Sequence, residues 1–161
     1  MKYDSASEKD TFDFAKKFAR TLKGGEVIGL IGELGAGKTV FARGLAAGLG
    51  LKQKITSPTF VLMRVYPVES RKAGISSKTK LFNGVNPVKR GTIKNFVHID
   101  AYRIKTAGDL EAIGAQEYLA DPESIVLIEW ADRVKKLWPR KSTKIFFEQK
   151  NERQRLLKIS L

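Results

Sequence analysis

The chain has 161 residues, 42% of them hydrophobic and 29% charged, which suits one globular domain with a single substantial core. It has no cysteine and no run of 18 or more apolar residues, so disulfides, thiolate chemistry and a membrane-spanning helix are excluded, and we expect a cytoplasmic protein. The net charge of +13 favours polyanionic partners such as nucleic acids, although a lysine-rich composition alone also produces it.

The first third of the chain alternates helix and strand patterns. Ser5 and Glu8 have the spacing of a capping box, and apolar residues then recur at helical spacing over residues 14–22. The apolar run Val27–Ile31 predicts a buried strand. A second helix is predicted from Lys38 to the glycine at position 50, because apolar residues line one side of this segment.

Between this strand and this helix, residues 32–39 read Gly-Glu-Leu-Gly-Ala-Gly-Lys-Thr and match G-x-x-x-x-G-K-[ST]. In that setting successive backbone N–H groups turn towards phosphate oxygens, and the helix N-terminus adds partial positive charge. Lys38 can reach the β- and γ-phosphates, and the Thr39 hydroxyl can bind Mg²⁺. The pattern predicts a nucleoside triphosphate site formed by Glu33, Leu34, Gly35, Ala36, Gly37, Lys38, Thr39 and Val40.

The middle of the chain is less regular. Residues 56–60 predict a polar turn, and residues 60–66 predict a strand. The segment over about 69–95 holds seven lysines or arginines and no acidic residue after position 69, and its apolar residues show no period. We therefore expect a long basic loop inserted into the domain.

The C-terminal half returns to regular patterns. Elements are predicted, in chain order, over residues 96–100 (strand), 107–118 (helix broken near Gly114), 125–129 (strand), 131–137 (helix), and 144–149 and 153–161 (two strands joined by a tight turn). Alternating strands and helices predict an α/β fold with a mainly parallel sheet flanked by helices and a C-terminal β-hairpin. We expect a single domain over residues 1–161.

Two of the predicted strands end in a carboxylate, Asp100 and Glu129. The carboxyl ends of parallel strands meet at the sheet edge where the phosphate loop also lies. At least one of these side chains is therefore predicted to bind Mg²⁺ or to orient a nucleophile, although strand ends are also polar simply because they meet water.

Three further residues have alternative explanations. Thr59 lies in the polar turn, where many nucleotide switches contact the γ-phosphate, but an ordinary turn explains it equally well. His98, the single histidine, is better explained as a packed or hydrogen-bonded strand residue than as a general base. Trp130 could fill the core, but its position directly after Glu129 favours the site.

The sequence lacks Asn-Lys-x-Asp, the motif that recognises guanine, which disfavours a GTPase.

Taken in order, these motifs resemble the TsaE (YjeE) family, small bacterial P-loop ATPases needed for threonylcarbamoyladenosine formation on tRNA. The resemblance covers roughly residues 5–66 and 96–140. It rests on the phosphate loop 32–39, Ser57-Pro58-Thr59-Phe60, His98-Ile99-Asp100-Ala101-Tyr102-Arg103, Asp109-Leu110-Glu111 through Ile113-Gly114, and Ile128-Glu129-Trp130. The loop over 69–95 is longer than the connection usual in the family.

The resemblance implies a P-loop NTPase-like fold, ATP or ADP with Mg²⁺ as cofactors, and a role for each matched position. Lys38 and the loop backbone would hold the phosphates, and Thr39 and Glu129 would bind Mg²⁺. Asp100 would act on the metal or on water. Lys38, Asp100 and Glu129 would form the catalytic set.

It also implies that Thr59 belongs to a switch-like turn, that Trp130 lies against the nucleotide, and that Ser7 lies on the side of the base. The family works with a TsaB–TsaD pair, in which TsaD carries out the transfer to tRNA adenosine. This chain would meet tRNA indirectly or, because of the charge of the segment rather than the resemblance, through the basic loop 69–95, which could equally be a solvated loop without a partner. Two other functions stay open: a small-molecule kinase, and a module in which ATP gates assembly without essential hydrolysis.

Overall fold

The structure, a computed structural model, describes residues 1–53, 55–58, 61–69, 93–137 and 142–160. Within them the chain forms β1 Lys2–Ser5, α1 Glu8–Phe18, β2 Val27–Ile31, α2 Lys38–Leu49, β3 Met63–Pro67, β4 Asn95–Asp100, α3 Ala107–Ala112, α4 Ala115–Leu119, β5 Ser124–Glu129, β6 Thr143–Gln149 and β7 Arg155–Ser160. Short 3₁₀ segments, Ala19–Thr21, Ala101–Arg103 and Ala131–Leu137, follow α1, β4 and β5. The predicted basic loop 69–95 lies, apart from its ends, outside the described residues.

The strands form one sheet in the order β1-β7-β6-β2-β5-β4-β3. Its centre is parallel, because β2 pairs in parallel with β5 and β6, and β4 pairs in parallel with β5. The edges are antiparallel: β3 pairs with β4, and the β6–β7 hairpin carries β1 on its far side. The predicted α/β class, with a mainly parallel sheet flanked by helices and a C-terminal hairpin, is confirmed.

Both faces of the parallel strands are covered, which explains why these strands are apolar at nearly every position. On one face Ile28 and Leu30 of β2 pack with Phe14 of α1 and Phe41 of α2. On the other face Val27 packs in a second cluster with residues of α3, α4 and the 3₁₀ segments.

None of the helices in the part of the chain that the structure describes has the length and apolar character to cross a lipid bilayer.

The structure corrects the predicted start of α1. Ser7 caps this helix, since its Oγ accepts a hydrogen bond from the Asp10 backbone N–H at 3.1 Å. Ser5 instead ends β1, a strand that the sequence analysis missed, and it is paired with Arg155 of β7. A four-residue edge strand has almost no periodicity of its own, and only the distant β7 defines it.

The predicted strand 60–66 is observed over Met63–Pro67. Its first part is replaced by a turn in which the Val61 and Leu62 N–H groups both donate to the Pro58 carbonyl, at 3.0 and 2.6 Å. Leu62 has φ +62°, which is incompatible with a strand. This turn brings the segment around Ser57 back towards the end of β4.

Candidate nucleotide and metal site

A cleft of about 370 Å³ opens where the neighbouring strands β2, β5 and β4 end. Its lining includes nine residues predicted from the sequence to bind cofactor or metal, namely Leu34, Gly35, Gly37, Lys38, Thr39, Val40, Asp100, Glu129 and Trp130. Glu8 and Tyr102 complete the lining. Ligands of open parallel sheets bind at this end of the strands, at the start of the helices that follow them.

The loop after β2 leads directly into the N-terminus of α2. Gly37 is the N-cap, with φ +100°, and a Cβ there would meet Arg155 Nε at 3.1 Å, so a side chain would be strained in conformation and crowded by a neighbour. Because Gly37 has no side chain, it cannot accept hydrogen bonds from the first backbone N–H groups of α2 as a capping side chain would. Such a terminus attracts anions, phosphates in particular.

Lys38 lies at the centre of the cleft and is only 4% exposed. Its ammonium donates to the carbonyl oxygens of Gly32 and Glu33, both at 2.7 Å, and lies 3.6 Å from the centre of the Trp130 ring. Burial lowers the pKa of Lys38 from its ordinary 10.5, and the nearby Glu129 and other carboxylates oppose that lowering. The ammonium is thus held by neutral partners and lacks a direct ion pair among the described residues, which suits a group that binds phosphate.

Thr39 and Glu129 are joined across the cleft. The Thr39 hydroxyl donates to Glu129 Oε2 at 3.0 Å, and the other carboxylate oxygen, Oε1, lies 2.8 Å from His98 Nε2. Glu129 and His98 are both buried. Ninety residues of sequence separate Thr39 from Glu129, and the parallel pairing of β2 with β5 brings them together.

Asp100 is paired directly with Glu129 in the register of β4 and β5. Its Oδ2 accepts a hydrogen bond from the Ser57 hydroxyl at 2.6 Å, and its Oδ1 accepts one from the Tyr102 N–H at 2.9 Å. The carboxylate is therefore fixed from two sides, and one contact comes from the polar turn that the sequence predicted. Thr59, the residue of this turn predicted to bind the cofactor, lies outside the described residues.

Trp130 has φ +57°, a left-handed conformation that costs a residue with a side chain roughly 1–2 kcal/mol. This conformation places the indole over Lys38, with the Tyr102 ring 5.0 Å away between ring centres. The Arg133 guanidinium lies 5.0 Å from the Tyr102 ring and donates to the Tyr102 carbonyl at 2.8 Å. The aromatic pair forms one wall of the cleft, with a cation at each end.

The remaining residues predicted for the site differ in how close they lie to the cleft. Glu33 contributes its carbonyl to Lys38, and Leu34 is 83% exposed at the tip of the loop. Ala36 is buried in the core, so only its backbone is available to a ligand. Ser7 is engaged in capping α1 and is not part of the cleft lining, although the next residue, Glu8, is.

Glu8 was predicted only as a capping-box residue of α1, and Tyr102 was given no separate role in the site. Tyr102 had a signal, because it stands two residues after a strand-ending carboxylate and therefore near the same sheet edge. Glu8 had none, since its place in the cleft depends on how α1 packs against α2. The reading of His98 as a hydrogen-bonded strand residue agrees with its contact to Glu129.

Comparison with known proteins shows which family shares these features. The sequence matches the family described as "Threonylcarbamoyl adenosine biosynthesis protein TsaE" over residues 5–157. The tRNA threonylcarbamoyladenosine biosynthesis protein TsaE of Treponema pallidum is 36% identical over 134 residues, which cover 83% of this chain and 81% of the relative. The TsaE protein of Bacillus subtilis is 29% identical over 155 residues, covering 96% of this chain and 82% of the relative.

A solved structure has the same fold. The crystal structure of Bacillus subtilis YdiB matches with a TM-score of 0.66 at 24% identity, covering 98% of this chain and 82% of the YdiB chain. The family match spans the whole cleft, from the residues that begin α1 to those of β7. The chain therefore belongs to the TsaE family of tRNA threonylcarbamoyladenosine biosynthesis proteins.

Proposed function

We propose that this protein is a Mg²⁺-dependent ATPase that supports threonylcarbamoyladenosine modification of tRNA together with a TsaB–TsaD complex. One observation carries the proposal: at the ends of adjacent strands β2 and β5, the start of α2 places Lys38 against Trp130 and joins Thr39 to Glu129. Family membership supplies the pathway, and the contacts in the cleft support the chemistry.

Phosphate binding follows from charge and backbone geometry. The N–H groups at the start of α2 and the Lys38 ammonium present positive charge from two directions at one end of the cleft. The carbonyls that now accept from Lys38 are neutral, so a phosphate oxygen is a stronger acceptor for the same hydrogens. ATP or ADP would lie with its phosphates here and its base beyond Val40, towards Ser7 and Glu8.

The residues present fit a Mg²⁺ ion. Thr39 Oγ1 and Glu129 Oε2 are 3.0 Å apart, and Asp100, paired with Glu129 in the register of β4 and β5, lines the same cleft, so hard oxygen donors are available there. The structure has no group of three or more carboxylates and histidines suited to a metal within its described ranges. Mg²⁺ bound with a nucleotide needs no such group, because it takes most of its ligands from phosphates and water.

The chain's own groups would then divide the work of hydrolysis. Mg²⁺, when bound, neutralises charge on the β- and γ-phosphates. Lys38 would stabilise the same charge from the loop side. Asp100, fixed by Ser57 and by the Tyr102 N–H, would orient the attacking water. Hydrolysis of this kind depends on position and charge more than on covalent chemistry.

The proposed partners follow from the family and the charge. ATP binding and hydrolysis by this protein would act on a TsaB–TsaD complex. The protein would contact tRNA through that complex or through the basic loop 69–95. The net charge of +13 favours encounter with a polyanion at low salt.

The test is ATP turnover by the purified protein alone, with a TsaB–TsaD pair, and with the pair plus tRNA. We expect slow turnover alone and stimulation by the pair, together with repeated threonylcarbamoyladenosine synthesis. Phosphate transferred to a metabolite would instead show a small-molecule kinase. Partner function that persists when hydrolysis is lost would show an assembly module.

Glu129→Gln separates binding from chemistry in this test. It should still bind ATP at saturating Mg²⁺ but lose turnover by roughly 10²–10³-fold, the loss typical of removing one preorganised electrostatic contact from a site. Glu152→Gln is the matched control, because it makes the same chemical change at an exposed turn outside the cleft. Equal turnover in both variants would refute the role of Glu129 and with it the proposed metal site.

A further inference from the structure

His98 occupies an unusual position for the single histidine of a chain. It lies on β4, is 0% exposed, is not part of the cleft lining, and is joined to that lining through the Glu129 side chain. Its Nε2 lies 2.8 Å from Glu129 Oε1, and its ring stacks on Phe96 with 6.2 Å between ring centres. Asp100, two positions further along β4, lies on the same face and in the cleft itself.

The hydrogen-bond inventory determines which nitrogen carries the hydrogen. A carboxylate can only accept, so Nε2 donates to Glu129. Nδ1 has no hydrogen-bond partner among the described residues. The reverse arrangement would place a hydrogen on Nδ1 and leave a buried N–H without an acceptor, which costs roughly 1–3 kcal/mol. The Nε2–H form is therefore the consistent one.

This donor fixes the Glu129 side chain from behind. Of the two carboxylate oxygens, Oε1 is held on the buried side by His98 and Oε2 meets Thr39 on the cleft side. Without the histidine, Oε1 would be a buried acceptor without that partner, and the carboxylate would turn towards any other donor or towards water. The direction of Oε2 towards Thr39 thus depends on a residue outside the cleft.

Stability alone does not explain this choice of residue. A buried polar pair is often no more stable than apolar residues of the same size, because both groups lose hydration. The neighbouring positions 96, 97 and 99 of β4 are all buried and apolar, and an apolar residue at 98 would continue that pattern. What an apolar residue cannot do is hold a carboxylate.

We propose that His98 is a positioning residue that presents Glu129 to the Mg²⁺ site, so that metal affinity depends on a hydrogen bond from outside the cleft. This inference rests on the proposed function. Partners behind a ligating side chain commonly change metal affinity or activity by about 10–100-fold when they are removed. His98 itself would touch neither metal nor nucleotide.

The first experiment needs no ligand. Because the untagged chain has one histidine, a ¹⁵N-edited NMR spectrum of its ring is free of overlap. We expect Nε2 to carry hydrogen and Nδ1 to be bare, with an Nε2–H protected from exchange by burial. A hydrogen on Nδ1 in place of Nε2 would overturn the inference, whether or not the protein binds ATP.

The second experiment measures the Mg²⁺ concentration for half-maximal binding of ATP in three variants. His98→Leu removes the donor and keeps an apolar side chain of similar volume, and His98→Gln places an amide N–H where Nε2 was. Val97→Ala disturbs the same strand on the opposite face, away from Glu129. ATP binding in EDTA and the thermal midpoint are measured alongside.

We expect the Mg²⁺ concentration for half-maximal ATP binding to rise about tenfold or more in His98→Leu, whereas its ATP affinity in EDTA should stay within about twofold of wild type. His98→Gln should recover most of the loss, and Val97→Ala should show none. Unchanged Mg²⁺ dependence in His98→Leu, or an equal rise in Val97→Ala, would overturn the inference. If the wild type binds ATP without any effect of Mg²⁺, the proposed function itself fails, a result that the wild-type titration reports separately.

Discussion

Replacing Gly44 by alanine tests how closely α1 and α2 pack and whether that packing matters to the cleft. A Cβ at Gly44 would lie 2.3 Å from the Phe12 carbonyl oxygen and 2.8 Å from the Ala15 Cβ. Gly48, one turn later, is equally crowded by Ala19 and Lys16. The two helices therefore touch backbone to backbone along one line. Glu8, which lines the cleft, is the first residue of α1 and depends on this contact.

The size of the effect follows from these distances. A carbon normally approaches a carbonyl oxygen to about 3.3 Å, so Gly44→Ala requires the helices to separate by roughly 1 Å. Overpacking of this kind costs about 1–3 kcal/mol, and the better helix propensity of alanine returns about 1 kcal/mol. The difference is a net loss of up to about 2 kcal/mol in unfolding free energy, or up to about 8 °C in Tm for a chain of this length.

The assay is urea unfolding of Gly44→Ala beside Gly108→Ala. Gly108 lies exposed in α3, and the closest atom to an added Cβ is Thr106 Oγ1 at 3.7 Å, an ordinary contact. The control should therefore gain stability, by about 0.5–1 kcal/mol. If Gly44→Ala is as stable as the control, the close approach of the helices is wrong. If it is destabilised and also binds ATP less well, the helix pair supports the cleft as argued.

Two further predictions concern the cleft. Thr39→Ala should lose the Mg²⁺-dependent part of ATP affinity whereas Thr39→Ser keeps it, because the contact with Glu129 is made by the hydroxyl. Calorimetry of ATP binding with and without Mg²⁺ checks this. Equal ATP affinities of the two variants in Mg²⁺ would contradict it. In the folded chain the pKa of Lys38 is lowered from 10.5, mainly by burial, so the unfolded chain keeps this proton to higher pH. As pH rises from that lowered pKa towards 10.5, the unfolding free energy of wild type should therefore increase relative to that of Lys38→Met. Urea unfolding of both proteins over this pH range measures the difference between their unfolding free energies. A difference that stays constant or falls with pH would refute the buried charge.

Much of the site was predictable because its geometry is local or follows from parallel strands. Glycines and a lysine at set spacing between a strand and a helix predicted a loop over residues 32–39, and the structure places it between β2 and the N-terminus of α2. Asp100 and Glu129 were predictable because parallel strands end at one edge, whatever their order. Leu34 followed from its place in the loop, and Val40 from its place in the first turn of α2. The fold class followed from the alternation of apolar strands with amphipathic helices.

Local patterns were less reliable where two signals competed. Ser5 and Ser7 both precede a run of helical spacing, and Ser7 became the cap because Ser5 was taken into β1 by pairing with β7. The start of β3 moved to Met63 because a turn around Pro58 used the preceding N–H groups. In both cases a hydrogen bond from elsewhere outweighed a weak local preference.

The amino-acid sequence by itself determined the class of fold, the glycine-rich loop before α2 and the two strand-ending carboxylates, because periodicity and strand ends are properties of short segments. Only the tertiary structure decided that His98 holds Glu129 and that Trp130 covers Lys38. It also decided that Glu8 reaches the cleft. These contacts join residues far apart in the chain, and they depend on strand register and on the crossing of α1 and α2. Register and crossing are set by the packing of the whole core, which no short segment encodes.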